Sequence, residues 1–300
     1  MTDKLSQVQA RIASVQSLES VVGAMRGIAA ARSREARDHL AGIRACAQMV
    51  GAAIGAALRL TENHTYAEPG GTRGDVALLI VLCAEQGFVG TFNERLIDTA
   101  AKPETAALPA TRAEYFVVGD RGAVIAAERG LSVGWSASMV THAGEVPLLA
   151  DRVSDALYER LHDGNIASVV LIHAMPNPAS GIAERMLLPF DYSAFSKVSA
   201  DESPLLAVTP QRLLAQLAEE YVFAQLCEAI MLSFAAENEA RRRAMAAASE
   251  NVHDTLTTLT GDFRRLRQDE ITSEIVELSA GSLAVGTPSP GRGKKTTRGE

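Results

Sequence analysis

The chain has 300 residues, 47% of them hydrophobic, which is enough for a packed core and argues against wholesale disorder. Aromatic residues are only 5%, and the alanine-rich remainder suits long, closely packed helices better than a β-sandwich. The net charge of −7 is uneven: residues 1–60 carry eight basic and four acidic side chains, 61–210 ten and nineteen, and 211–300 eleven and thirteen. An acidic middle between more basic ends excludes a general nucleic-acid binder, which needs a broad basic face.

The first stretch reads as a long helix. Thr2 or Asp3 is placed to cap a start at Lys4. Leu5, Val8, Ile12 and Val15 follow at alternating steps of three and four, and Leu18, Val22, Met25 and Ala29 carry the stripe on toward Leu60. Gly23, Gly27, Gly42, Gly51 and Gly55 each weaken the helix by roughly 1 kcal/mol relative to alanine, and are expected to let another helix approach closely. Gly23/Gly27 and Gly51/Gly55 have GxxxG spacing, but Arg26, Arg32, Arg34 and Arg37 exclude a membrane dimer there. The N-terminus lacks an apolar signal core, and no apolar run is expected to reach the roughly 18 residues of a membrane span. The expectation is a protein that is soluble or peripheral to a membrane.

Residues 61–74 read as a loop. The run 75–83 (DVALLIVLC) is a buried strand, followed by a glycine turn (Gly87-Phe88-Val89-Gly90-Thr91-Phe92-Asn93) and a helix. Residues 114–119 form a second strand, 120–130 a helix, 146–165 a further helix, 166–174 a third strand and 184–190 a fourth. Strands alternating with helices predict an α/β, Rossmann-like body on a mostly parallel sheet. The glycine turn is neither GxGxxG nor a phosphate loop with its Lys-Ser/Thr pair, so a tight strand-to-helix turn is the favoured reading over nucleotide binding. Residues 191–210, with Pro204 and Pro210, connect the body to the last helix.

From Gln211 to Val285 there is no proline, and the only glycines are Gly261 and Gly281. Such a stretch, continuous as a helix, is about 110 Å long. Val252, Leu256, Leu259, Phe263 and Leu266 alternate steps of four and three, and after a slip of one position Ile271, Ile275 and Leu278 are expected to continue the seam. The natural partner is the first helix, giving an intramolecular antiparallel coiled coil. The organisation expected is therefore an N-terminal shaft helix (1–60), an α/β body (61–210), a C-terminal shaft helix (211–285) and a disordered basic tail (286–300).

Catalytic signatures are missing. The six histidines are scattered, no HExxH or GxSxG occurs, and Cys46, Cys83 and Cys227 have neither metal nor redox spacing, so they read as buried reduced thiols. No cofactor is expected.

Residues 14–36 (SVQSLESVVGAMRGIAAARSREA) resemble the N-terminal shaft pattern of the gamma subunits of rotary F-type ATP synthases, through Ala24, Met25, Arg26, Ala29, Ala30 and Arg32. Residues 236–252 resemble the matching C-terminal segment through Glu237, Arg241, Ala244, Met245 and Asn251. Residues 267–285 resemble the closing signature through Arg267, Gln268, Ile271, Thr272 and Glu274, and EQGFVGTFN resembles the family's glycine loop. The departures are Gly23 and Gly27, the run Arg241-Arg242-Arg243, and an extension beyond Val285. They point to a divergent branch, such as the alternative ATPase some bacteria carry beside their main one.

The resemblance implies a non-catalytic central rotor shaft. Its partners would be a ring of three alpha and three beta subunits, an epsilon subunit and the membrane c-ring, at the cytoplasmic face of a bacterial inner membrane. Arg267 and Gln268 match positions that meet the catalytic subunits' catch loop, while Arg26, Arg241 and Arg243 would face their acidic lever loops. Met25, Met245, Leu256, Leu259, Phe263 and Ile271 would pack the shaft. The competing readings are a coiled-coil scaffold or dimerisation protein with an α/β domain, and a free-standing nucleotide-binding enzyme.

Overall fold

The computed structural model describes residues 2–60, 74–102, 112–176, 181–195 and 208–285. In chain order these form α1 (Thr2–Arg59), β1 (Val76–Leu82), α2 (Phe92–Ala100), β2 (Arg112–Val118), α3 (Asp120–Glu128), β3 (Val133–Ala137), α4 (Val146–His162), β4 (Ile166–Ala174), β5 (Ile182–Leu188) and α5 (Pro210–Val285). The expected loop at 61–74 (but for Gly74), most of the 191–210 connector and the tail beyond 285 lie outside the described residues. The chain divides into two compact units: residues up to Val22 with those from Ala248 on, and Gly23–Ala247.

The larger unit holds a five-stranded sheet in the order β3-β2-β1-β4-β5. All pairings are parallel except β4 with β5, which is antiparallel. Alternation along β1 sorts its side chains between two cores. Val76, Leu78, Ile80 and Leu82 pack with α4, with Ala36 and Leu40 of α1, and with Val222–Ala235 of α5. Ala77, Leu79, Val81 and Cys83 face the opposite way, onto Leu96, Ile97 and Ala100 of α2 and Ala126 of α3. Both faces are covered, so every residue of β1 and β4 is buried: β1 is an unbroken apolar run, and β4 is apolar but for Ser168 and His173. β3 is a strand that spacing did not indicate.

Helix α5 begins with Pro210 at its first position, and the Leu213 N–H donates to the Thr209 carbonyl at 3.0 Å. Within the larger unit it changes character along its length. It is amphipathic up to Phe223, and then every residue from Ala224 to Arg241 is buried. A helix buried on all sides lies between other layers, here the sheet on one side and α1 on another. The two helices run antiparallel. Arg44 pairs with Glu228 at 2.8 Å, Gly51 lies against Tyr221, and Leu58 shares a cluster with Leu214. Each step of seven up α1 meets a step of seven down α5, which is the heptad repeat of a coiled coil.

In the smaller unit Leu5, Val8, Ile12, Val15, Glu19 and Val22 on α1 are at least partly buried, as are Val252, Leu256, Leu259, Phe263, Leu266, Glu270 and Ser273 on α5, with Ala248, Ser249, Thr260 and Asp262 beside them. The alternation of three and four is kept without a slip. Ile271, Ile275 and Leu278, expected to continue the seam, are instead 47%, 57% and 75% exposed. Ile271 is therefore not a shaft-packing residue. A helix turns about 100° per residue, so a one-position slip carries an apolar stripe out of the interface while the backbone keeps its register. For the same reason Leu18 is exposed and Glu19 takes its place.

Three further expectations are corrected. Among the described residues nothing lies within 4 Å of a Cβ built at Gly23, Gly27 or Gly42, so these glycines serve no close helix approach there; at Gly51 such a Cβ would sit 3.3 Å from the Phe195 ring. By length and composition α1 is apolar enough to cross a membrane, although Ala47, Val50, Ile54, Ala57 and Leu58 of its apolar part are buried inside the protein. Cys46 is exposed rather than buried.

Candidate functional site

The parallel strands β1, β2 and β4 end on one edge of the sheet, where α/β folds commonly bind ligands. Here α5 is joined to that edge by polar contacts. Ser233 donates its hydroxyl to the Leu82 carbonyl at 2.9 Å. One turn on, Glu237 pairs with Arg241 at 2.6 Å, with both side chains 6% exposed or less. The Arg241 guanidinium also donates to the carbonyls of Gln86 (3.2 Å) and Gly87 (3.3 Å) and to Asn238 Oδ1 (3.4 Å). Burial raises the Glu237 carboxyl above its ordinary range, and the Arg241 charge opposes that rise. Burial, with Glu237 nearby, likewise pushes the Cys83 thiol far up.

The glycine turn is thus a clasp. Phe88 and Gly90 have φ of 62° and 60°, the left-handed region, which suits Gly90 and strains Phe88. Asn93 closes the turn by accepting from the Ala84 N–H at 2.8 Å. Glu85 reaches across the sheet edge and accepts from the N–H groups of Met139 (2.8 Å) and Asp120 (3.2 Å). The carbonyls of Gln86 and Gly87 accept from Arg241, so this turn, besides joining β1 to α2, fastens α5, a role the sequence reading did not foresee. Arg241 is consequently withdrawn from the residues available to a partner's lever loop: it is buried and fully engaged within the chain. Sequence reasoning missed Ser233 and Glu85. The spacing of Glu237 and Arg241, one helical turn apart, was the one local signal for their pairing.

The other expected contact residues lie on the surface. Arg26 and Arg243 are exposed in the larger unit, and Arg267 and Gln268 in the smaller. Arg243 approaches Glu239 at 3.8 Å and lines a cleft of about 250 Å³ with Gly90, Phe92, Arg95 and Met175. Met245 and Leu259 are buried, and Met25, Leu256 and Phe263 are half-buried.

A second ionic cluster bridges three elements. Glu228 of α5 accepts from Arg44 of α1 (2.8 Å) and from Arg185 of β5 (3.2 Å), and Gln225 also accepts from Arg185. His173 of β4 is fully buried nearby; burial, opposed by a bond to the Ala174 carbonyl, lowers its pKa, Arg185 lowering it further and Glu228 raising it. Among the described residues no group of His, Cys, Asp and Glu is arranged to hold a metal ion.

With this geometry in view, comparisons with known proteins are informative. Residues 4–285 match the family model described as ATP synthase. The ATP synthase gamma chain of Frankia casuarinae is 30% identical over 311 residues, covering 96% of this chain and all of the relative. That of Cytophaga hutchinsonii is 26% identical and covers 94% of this chain and 98% of the relative. Among solved structures, a chain of the Euglena gracilis mitochondrial ATP synthase (OSCP/F1/c-ring) superposes with a TM-score of 0.63 at 10% identity, covering 95% of each chain. A chain of the Tetrahymena thermophila mitochondrial ATP synthase central stalk/c-ring gives 0.53 at 18% identity, covering 76% of this chain and 99% of that one. At these identities the superpositions speak for the fold.

Proposed function

The chain belongs to the gamma-chain family of ATP synthases, and from that premise we propose how its residues carry out the family's work. It is the central rotor shaft of an F-type ATP synthase, a subunit of a complex that makes or hydrolyses ATP. The scaffold and free-standing enzyme readings are not favoured.

The shaft turns within a ring of three alpha and three beta subunits, with epsilon and the membrane c-ring at the body end. It supplies no catalytic residue itself, and it works at the cytoplasmic face of a bacterial inner membrane. In functional terms it divides into shaft helices 1–60 and 211–285 and a body at 61–210. Two requirements of a rotor are served by observed features. Torque must pass between body and shaft without slip; the all-round burial of residues 224–241 and the Arg241 clasp fix α5 to the sheet. The shaft must also turn against a wall, and the exposed apolar stripe Ile271, Ile275 and Leu278 offers contact without directional bonds.

Arg267 and Gln268, both exposed, hydrogen-bond the catch loop of a catalytic subunit, and Arg26 and Arg243 face its acidic lever loops. The observation that carries this reading is the family match over residues 4–285, on a fold whose two long helices pair antiparallel. Co-expression of the tagged chain with alpha, beta and epsilon subunits from the same operon tests it. A stable complex whose ATPase activity depends on this chain is expected; a chain that purifies alone and ignores those subunits contradicts it.

A further inference from the structure

We propose that Cys46 and Cys227 are a modification site: they close a reversible disulfide that staples α1 to α5 beside the sheet. The helix register places them. With Arg44 against Glu228, Gly51 against Tyr221 and Leu58 near Leu214, residue 46 lies level with residue 227 to within about one residue's rise of 1.5 Å. Their positions around the helices agree. On α1, the buried line runs through Leu40, Ala47 and Val50. Arg44 lies on one flank of that line; Cys46, about 200° further round, lies on the other. On α5, Cys227 is about 100° round from Glu228. The ion pair closes one flank of the seam and the two thiols occupy the opposite one.

The thiols are also coupled electrostatically. Burial first, then the neighbouring Cys46, then Glu220 push the Cys227 thiol up to about 12. Cys46 is exposed, Cys227 is 6% exposed, and all three cysteines are free. The remaining thiol is walled off: Cys83 is 1% exposed, and a Cβ built at Gly122 would sit 2.4 Å from its sulfur.

The chemistry balances with a small disulfide such as glutathione disulfide as the oxidant. The exposed Cys46 thiolate attacks one sulfur of the oxidant, forms a mixed disulfide and expels one thiolate. The Cys227 thiolate then attacks Cys46 Sγ and expels the second. Two electrons pass to the oxidant, which leaves as two thiols, and the two protein protons are taken up by those thiolates. Cys46 sets the rate of the first step; Cys227, held protonated at neutral pH, makes the second slow and base-dependent. The product ties α1 to α5 on the flank the ion pair leaves open, so that the helices cannot slide past each other under torsion.

The test incubates the full chain, in complex with its alpha and beta partners, with glutathione disulfide, then blocks free thiols and digests with trypsin. The expected result is residues 45–59 linked to residues 213–241, lost on reduction and absent in Cys46→Ser. The rate of closure should rise about tenfold per pH unit between roughly pH 7 and 9, tracking the Cys227 thiolate. Cys227 that stays fully alkylatable after denaturation, while Cys46 carries glutathione or joins a second copy, overturns the proposal. So does a closure rate independent of pH.

Discussion

Arg241 and Glu237 stand one helical turn apart at 2.6 Å, and together they seal the end of β1 against α5. Breaking a buried pair by removing one partner leaves the other uncompensated, at a cost of about 3–5 kcal/mol. Arg241→Ala should lose about that much in denaturant unfolding of the isolated chain, and the double variant with Glu237→Ala should lose less than the two single losses combined. The pH sign follows from Glu237. A carboxyl whose folded pKa lies above its unfolded value stabilises below the unfolded value and loses that contribution as pH rises. The Arg241→Ala defect should therefore deepen as pH rises from about 4.5, measured as a falling unfolding midpoint.

His173 gives the opposite slope. Its folded pKa is lowered from 6.5, chiefly by burial, and its Nε2 has no hydrogen-bond partner among the described residues. Such a group contributes stability above its unfolded pKa that is lost as pH falls. The unfolding free energy should decline below about pH 6.5, and His173→Leu should flatten that decline. An unchanged slope in the variant would place the acid sensitivity elsewhere.

The helical glycines separate into two kinds. Among the described residues nothing stands where a Cβ of residue 23 or 27 would lie, so Gly23→Ala and Gly27→Ala should each stabilise the isolated chain by up to about 1 kcal/mol, seen as a raised thermal midpoint. Gly51 lies under Phe195, with the ring 3.3 Å from a built Cβ, and Gly51→Val should be destabilising.

Arg267 and Gln268 are exposed, so Arg267→Ala with Gln268→Ala should leave the chain's own unfolding within about 0.5 kcal/mol of the parent. The same pair should lower the steady-state ATPase rate of the assembled complex. A loss of chain stability with normal ATPase would reassign both residues to the fold.

Much of this architecture is written in local spacing. The proline-free 211–285 stretch, the steps of three and four, and the apolar runs of β1 and β4 each specify their element without tertiary help. What stayed hidden depends on other parts of the chain. β3 (VGWSA) is short, holds Gly134 and Ser136, and lies at the sheet edge, so it lacks an apolar run; a Cβ at Gly134 would displace the Glu114 carboxylate, 2.4 Å away, which pairs with Arg160. Three consecutive arginines at 241–243 carry no local signal of burial, and only the folded glycine turn, more than 150 residues away, draws Arg241 inside. Ile271, Ile275 and Leu278 have the spacing of a seam, but the partner helix fixes a register that excludes them. Their outward stripe is legible only once the functional context supplies a wall.

The central claim is that this chain rotates. Its most direct test attaches a bead through Val124→Cys, on the exposed side of α3, in a Cys46→Ser background within a complex with surface-fixed alpha and beta subunits, and follows it under ATP. Unidirectional rotation with three equal stops per turn, ceasing without ATP, is the predicted result. A bead that stays still or diffuses freely while the complex hydrolyses ATP would contradict it.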